Sequence, residues 1–266
     1  MLIYPEIDPI VFSLGPLKIH WYGIMYLLGF FVAWRIALFR SKSSGSPISK
    51  NQIEDLIIYS AFGVILGGRF GYILFYNFEQ WLLDPLLLFR IWEGGMSFHG
   101  GLLGVLIVIW GYSRKIDKPF LALGDFVAPL VPIGLGLGRI GNFMGQELWG
   151  RPTDSWVGML FPNDPQQLPR HPSQLYEFFL EGVLLYIVLI IASKKPRLMG
   201  IISGLFLALY GSFRFTVELY RAPDVAIGFD LFGWVTRGQL LSLPMILIGI
   251  ALILWSNLES TKLRNR

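Results

Sequence analysis

The chain has 266 residues, of which 54% are hydrophobic and 15% charged, with a net charge of +4 and a mean hydropathy of +0.56. Soluble domains carry about 25% charged residues, so this composition indicates an integral membrane protein and sets aside an ordinary soluble domain. Cysteine is absent, which removes disulfides, thiolate metal ligands and a cysteine nucleophile; with only three histidines (His20, His99 and His171) no metal site is expected.

The first apolar run follows about twenty residues rich in proline and aromatics, without a basic leader region or a small-residue cleavage site, and is expected to stay as a helix. A helix needs roughly 20 apolar residues to span a bilayer. Seven segments approach that length: 21–39, 53–76, 96–113, 120–138, 173–192, 199–219 and 237–256. Between the second and third, residues 81–92 (WLLDPLLLFRIW) are apolar but interrupted by Asp84, Pro85 and Arg90, and predict an interfacial helix. The expected fold is an all-α polytopic bundle of about seven transmembrane helices in a single membrane domain, residues 1–266. Its external segments lie around 1–20, 77–95, 139–172 and 220–236.

Basic residues orient the bundle. Arg40, Lys42, Lys50, Arg114, Lys115, Lys118, Lys194, Lys195, Arg197, Lys262, Arg264 and Arg266 follow the odd-numbered spans. Only Lys18, Arg90, Arg139, Arg151, Arg170 and Arg221 fall in the longer opposite connections. The positive-inside rule then puts the N-terminus outside and the C-terminus in the cytoplasm. Tryptophans, histidines and carboxylates concentrate in the external connections, so chemistry is sought at the outer leaflet.

The most concentrated stretch is 134–151, GLGLGRIGNFMGQELWGR, which follows the uncharged run 126–133 and delivers Arg139, Asn142, Gln146, Glu147 and Arg151. Gly136, Gly138 and Gly141 also satisfy a G-x-G-x-x-G pattern. That fingerprint binds dinucleotides only between a strand and a helix of a βαβ unit, and here the glycines instead predict close helix packing followed by a helix break.

Charged groups within spans usually face a partner or a wet cavity. Arg35 lies one turn from a cytoplasmic end and Arg237 starts its span, so both suit snorkelling. Arg69, among Gly67, Gly68 and Gly71, is equally compatible with structure or function. In LALYGSFRFTVELYR, Tyr210, Arg214, Glu218 and Arg221 share one helix face. Glu218 either neutralises Arg214 or orients it toward an anion; in the second case Arg139 and Arg214, from separate helices, make a bidentate phosphate clamp. His99, in EGGMSFHGG, is either a packing residue or a general base at the outer interface. His20 and His171, beside tyrosine and tryptophan, suit an aromatic belt.

At this point the residues resemble a known family. GRIGNFMGQELWGR at 138–151 is similar to the signature segment of the prolipoprotein diacylglyceryl transferases. So are HWYGIMY at 20–26, GGRFGYILFY at 67–76, GGMSFHGG at 94–101, RHPSQLYE at 170–177 and YGSFRFTVELYRAPD at 210–224, in the family's order. The resemblance implies a bacterial inner-membrane enzyme, active toward the periplasm, with phosphatidylglycerol and prolipoprotein signal peptides as partners. It transfers the diacylglyceryl group to the lipobox cysteine thiol, forming a thioether and releasing glycerol phosphate as the first step of lipoprotein maturation. It implies no cofactor, phosphatidylglycerol being a substrate, and no nucleic-acid partner. It further implies His99, Arg139 and Arg214 as catalytic residues, with Tyr22, Asn142, Glu147, Gly150, Tyr210 and Glu218 joining the two arginines in substrate binding. One departure stands out: Gly145 occupies a position where the family pattern has asparagine. A transporter would instead gather its charges at the midplane, and an intramembrane serine protease would need a G-x-S-G motif, which this sequence lacks.

Overall fold

The computed structural model describes residues 2–15, 17–43, 45–90, 94–223, 230 and 232–264. The helices are α1 (Trp21–Arg40), α2 (Lys50–Tyr76), α3 (Phe78–Leu83), α4 (Phe98–Lys115), α5 (Phe120–Val127), α6 (Val131–Met144), α7 (Ser173–Glu177), α8 (Leu185–Ala192), α9 (Ile201–Val217) and α10 (Arg237–Arg264). A 3-10 turn at Ala128–Leu130 joins α5 to α6, and a π-helical turn at Phe178–Leu184 joins α7 to α8. The chain is therefore mostly helical, and every one of the seven expected spans is a helix or a nearly continuous run of helices.

Five of these runs are long and apolar enough to cross a bilayer: Trp21–Arg40, Lys50–Tyr76, Phe120–Met144, Ser173–Ala192 and Arg237–Glu259. The other two expected spans, α4 and α9, have 18 and 17 residues, and α4 closes on Arg114 and Lys115. The expected interfacial helix is shorter than its pattern. Pro85 ends α3, and a 3-10 turn at Pro85–Phe89 follows, its first turn capped by Asp84 Oδ1 accepting from Leu86 N at 3.1 Å. Residues 91–93, 224–229, 231 and 265–266, which belong to the expected external segments and the basic C-terminus, lie outside the described residues.

Contacts divide the chain into two units, residues 37–124 and residues 1–36 with 125–266. In the first, α2 and α4 cross backbone to backbone. Gly63, Gly67 and Gly71 repeat every fourth residue on α2 and meet Gly100 and Gly104 on α4. A methyl group on Gly71 would lie 2.7 Å from the Gly100 Cα, so the crossing excludes any side chain. Arg69, three per cent exposed, turns its guanidinium into the connection between these helices, where the carbonyls of Leu88 (3.2 Å), Arg90 (3.0 Å), Gly95 (3.2 Å), Leu87 and Gly94 accept from it. Its role is to hold the turn that leads into α4, which resolves the open reading of this arginine toward structure.

The second unit has a core of Ala128, Leu185, Leu189, Ile202 and Tyr210, onto which Leu135, Phe206 and Met245 pack. Asp125 caps α9, accepting from Gly200 N at 2.6 Å and Ser203 N at 2.7 Å. The α10 N-terminus is a reciprocal box: Thr236 N donates to Gln239 Oε1 and Gln239 N to Thr236 Oγ1. Short strands, absent from the all-helical expectation, organise the segments that precede α1 and follow α6. A hairpin pairs β2 (Ile10–Leu14) with β3 (Leu17–His20). A three-stranded sheet runs β1 (Leu2–Ile3), β4 (Met159–Leu160), β5 (Pro169–Arg170). Tyr4, Met159 and Phe161 form a small second core beneath it, and the Tyr4 hydroxyl donates to the Phe143 carbonyl at 2.8 Å.

Candidate functional site

The site is assembled from three elements of the second unit: α6, the run Ser173–Ala192 and α9. Residues 136, 138 and 141 lie inside α6, with no strand before them, so they form no dinucleotide loop. The helix break expected after residue 138 comes only after Met144, and Arg139 sits within the helix. Tight packing explains the glycines. A methyl on Gly182, in the π turn, would lie 2.8 Å from the Gly136 Cα. The close approach brings Arg139 beside Glu177 and Glu181, both fully buried. Widened turns of this π type recur at functional sites.

Arg139 Nε lies 3.1 Å from Glu177 Oε2, and its Nη2 lies 3.5 Å from Glu181 Oε2. From α9, Arg214 Nη1 binds Glu177 and comes within 3.8 Å of Glu181 Oε1, while its Nη2 binds Glu218. Arg221 Nη1 lies 3.5 Å from Glu218 and 3.9 Å from Glu177. Thr236 Oγ1 donates to the second Glu218 oxygen at 2.6 Å. Among the described residues, three guanidinium groups and three carboxylates thus form one largely buried cluster. Tyr210, one turn before Arg214, is buried and stacks on Phe206; it lies within electrostatic reach of Glu181 and both arginines. Tyr22, on α1, is half exposed, bonds to the Tyr26 hydroxyl at 3.1 Å, and lies within reach of Arg139 and Glu147.

The segment 145–172 closes back onto α9. Gly150 N donates to the His171 carbonyl at 2.8 Å, Arg151 N to the Tyr220 carbonyl at 2.8 Å, and Arg151 Nε to the Arg221 carbonyl at 3.0 Å. A methyl on Gly150 would lie 2.5 Å from the Tyr220 oxygen and 2.7 Å from the His171 oxygen, so only glycine admits this three-way junction. Asn142 is buried on α6, and Glu147 is exposed just past its end, its amide bonded to the Asn142 carbonyl at 2.9 Å. Gln174 Nε2 donates to the Glu147 carbonyl at 2.6 Å. Gly145 ends α6 with its would-be methyl 3.6 Å from the Glu147 carboxyl, so the asparagine of the family pattern would put its amide beside that group. His171 bonds to the Tyr176 hydroxyl at 3.0 Å, and burial lowers its pKa; it is a packing residue of an aromatic group with Tyr220. Arg237 pairs with Asp230, and Arg35 is exposed.

His99 belongs to the other unit. It opens α4 one residue past Phe98, behind the Ser97 cap that accepts from Gly100 N at 3.2 Å, and its ring is exposed. Ser97 N is itself anchored to the Gly68 carbonyl at 2.8 Å, so α2 fixes where the histidine emerges. No group of three or more His, Asp or Glu side chains that would hold a metal ion occurs among the described residues.

Of the residues expected from the sequence, Arg139, Arg214, Glu218 and Tyr210 are brought together. Glu177 and Glu181, which bind the two arginines to each other, were not among them. The signal was present, because they are the two carboxylates of an otherwise uncharged run of twenty residues, 173–192.

The sequence profile described as Prolipoprotein diacylglyceryl transferase matches residues 9–255. The chain belongs to this family. Relatives named phosphatidylglycerol–prolipoprotein diacylglyceryl transferase are similar over nearly their whole length. The Teredinibacter turnerae protein is 57% identical, covering 96% of this chain and 93% of its own. The Pseudomonas fluorescens protein is 53% identical over 100% and 99%, and that of Coxiella burnetii 56% over 96% and 98%. The matched range contains all six sequence segments that resemble the diacylglyceryl transferases.

Proposed function

We propose that this chain transfers the diacylglyceryl group of phosphatidylglycerol to the lipobox cysteine thiol of a prolipoprotein, and that Arg139 and Arg214 hold the lipid phosphate while it does so. The chain is a transferase of lipoprotein biosynthesis and a multi-pass membrane protein. What supports the site is the convergence of two arginines, from α6 and α9, on the buried carboxylates Glu177 and Glu181. Guanidinium groups fixed in this way present their remaining N–H donors with little reorganisation.

In the reaction the substrate sulfur attacks the diacylglyceryl carbon bound to phosphate oxygen. The C–O bond breaks, an S–C thioether bond forms, and glycerol phosphate departs with the extra charge. Two guanidinium groups stabilise that growing charge more in the transition state than in the ground state. His99 accepts the thiol proton, since the ordinary thiol pKa near 8.5 leaves little thiolate at neutral pH. Tyr22, Asn142, Glu147 and Tyr210 line the lipid headgroup. Gly150 serves through its backbone, and Glu218 orients Arg214 together with Thr236. No cofactor takes part. Residues 1–266 act as one membrane domain with seven crossings in a bacterial inner membrane, N-terminus and site toward the periplasm. The test is to incubate the purified protein with phosphatidylglycerol and a lipobox peptide and weigh the product. A peptide heavier by one diacylglyceryl group, with stoichiometric glycerol phosphate, is expected; an unmodified peptide would refute the assignment.

A further inference from the structure

Among the described residues, the ion-paired cluster joins three arginines and three glutamates, with Arg151 at its edge on the Arg221 and Glu218 carbonyls. With every group ionised the six paired charges sum to zero, so the pairs themselves offer an anionic phosphodiester no net attraction. An arriving phosphate therefore brings an uncompensated negative charge into a buried place, and such a charge is costly there. Loss of one carboxylate charge would restore the balance, and the geometry distinguishes which one.

Glu218 is the least free to lose its charge. Thr236 Oγ1 donates to it at 2.6 Å, Arg214 Nη2 binds it, and Arg221 lies 3.5 Å away. Glu177 accepts a hydrogen bond from Arg214 and has Arg139 Nε at 3.1 Å. Glu181 differs from both. It is fully buried, neither of its oxygens accepts a hydrogen bond, and its nearest cations, Arg139 Nη2 and Arg214 Nη1, stand at 3.5 and 3.8 Å. The groups facing it are Arg139 from α6, Glu177 from its own run, and Tyr210 and Arg214 from α9, with Arg221 beyond the end of α9. Neutralising Glu181 therefore breaks no hydrogen bond and frees one face of each clamp arginine, whereas neutralising Glu177 or Glu218 breaks bonds that position them.

We propose that Glu181 takes up a proton as the phosphate of phosphatidylglycerol enters between Arg139 and Arg214, so that lipid binding and proton binding are coupled at this carboxyl group. The proposal rests on the arginine site assigned above. Glu181 is thus a positioning residue that spaces the two guanidinium groups while the site is empty and yields its charge to the substrate. The proton comes from solvent, no bond other than O–H forms, and it returns when glycerol phosphate leaves.

The experiment measures KM for phosphatidylglycerol between about pH 6 and about pH 9, where uptake of one proton makes KM rise by up to roughly tenfold per pH unit on its alkaline side. Glu181→Gln is uncharged at every pH and should show a flat KM close to the wild-type value at the acid end. Glu181→Asp should keep the slope. A wild-type KM that does not vary with pH, or a Glu181→Gln slope equal to wild type, overturns the proposal. A second measurement needs no variant: short-chain phosphatidylglycerol added without peptide to weakly buffered wild-type enzyme should draw protons from an indicator dye, and no uptake anywhere in that range overturns it equally. Failure of the underlying site has a different signature. Arg139→Lys and Arg214→Lys would then leave KM and kcat alike unchanged, whatever Glu181→Gln does.

Discussion

Asp164 and Arg170 form a buried ion pair that holds the segment 145–172 in place, and removing one partner tests how the loop supports the site. Asp164, one per cent exposed, accepts from Arg170 Nε at 2.6 Å and Nη2 at 3.1 Å, and from the amides of Gln166 at 3.1 Å and Leu168 at 3.3 Å. Asp164→Ala removes all four bonds and strands the guanidinium with Gln166 Oε1 at 2.7 Å and the Gly150 carbonyl at 3.5 Å. Breaking a buried pair in this manner costs about 3–5 kcal/mol. The transmembrane helices do not depend on the pair, so the cost should appear as local opening. At about 1.4 kcal/mol per factor of ten, amide hydrogen exchange across 161–170 should accelerate by roughly two to three and a half orders of magnitude in detergent-solubilised protein. The double variant Asp164→Leu/Arg170→Met leaves no stranded charge and should be milder than Asp164→Ala alone. The hydrogen bonds from Arg170 hold the Asp164 carboxyl below the usual carboxylate range. Its stabilisation is therefore complete above the ordinary aspartate pKa and is lost only as pH falls through the lower folded value, leaving exchange of the wild-type loop insensitive to pH-dependent stability near neutrality. Exchange in Asp164→Ala within about threefold of wild type, or a double variant worse than the single, would refute the reasoning.

Arg139→Lys and Arg214→Lys keep the charge but lose the planar fork, and each should lower turnover at saturating lipid by about a hundredfold or more, as loss of an anion-stabilising donor does; wild-type turnover in folded protein would return that arginine to a packing role. His99→Gln should lower turnover by about a hundredfold at neutral pH and recover in part as pH approaches the thiol pKa, if the histidine accepts the thiol proton; an unchanged pH–rate profile would leave it as a helix-start residue. Gly150→Ala should cost about 1–3 kcal/mol of overpacking at the junction with Tyr220 and His171 and loosen residues 145–172 against α9, which limited proteolysis would register; an uncut, fully active variant would show that the backbone yields there more than its geometry indicates.

The helices were legible because the cost of placing backbone and charge in hydrocarbon writes long apolar runs into the sequence. Short strands were not. β1 and β4 have two residues each and pair across more than 150 positions, so no local period announces them. The end of α6 was misplaced for a related reason. The glycines at 136, 138 and 141 were expected to allow close packing, which Gly182 and Tyr22 supply, but nothing local shows that the helix continues past them to Met144.

The carboxylate partners of the clamp were within reach of a stricter electrostatic reading. Arg214 has Glu218 one turn along its own helix, but Arg139 has no acidic residue within a turn on either side in α6. Asp125 is the single acidic residue in the run Phe120–Met144; at fourteen residues' distance it is about 20 Å away along a helix, too far to pair. A guanidinium at membrane depth without a partner costs at least about 2.5–3.5 kcal/mol, so one must come from a neighbouring element. The run 173–192 carries its two carboxylates at 177 and 181, on one face four residues apart. A span with no arginine or lysine of its own has no internal use for them, and that unmet charge, matched against the unmet charge of Arg139, points to the contact that the folded chain makes.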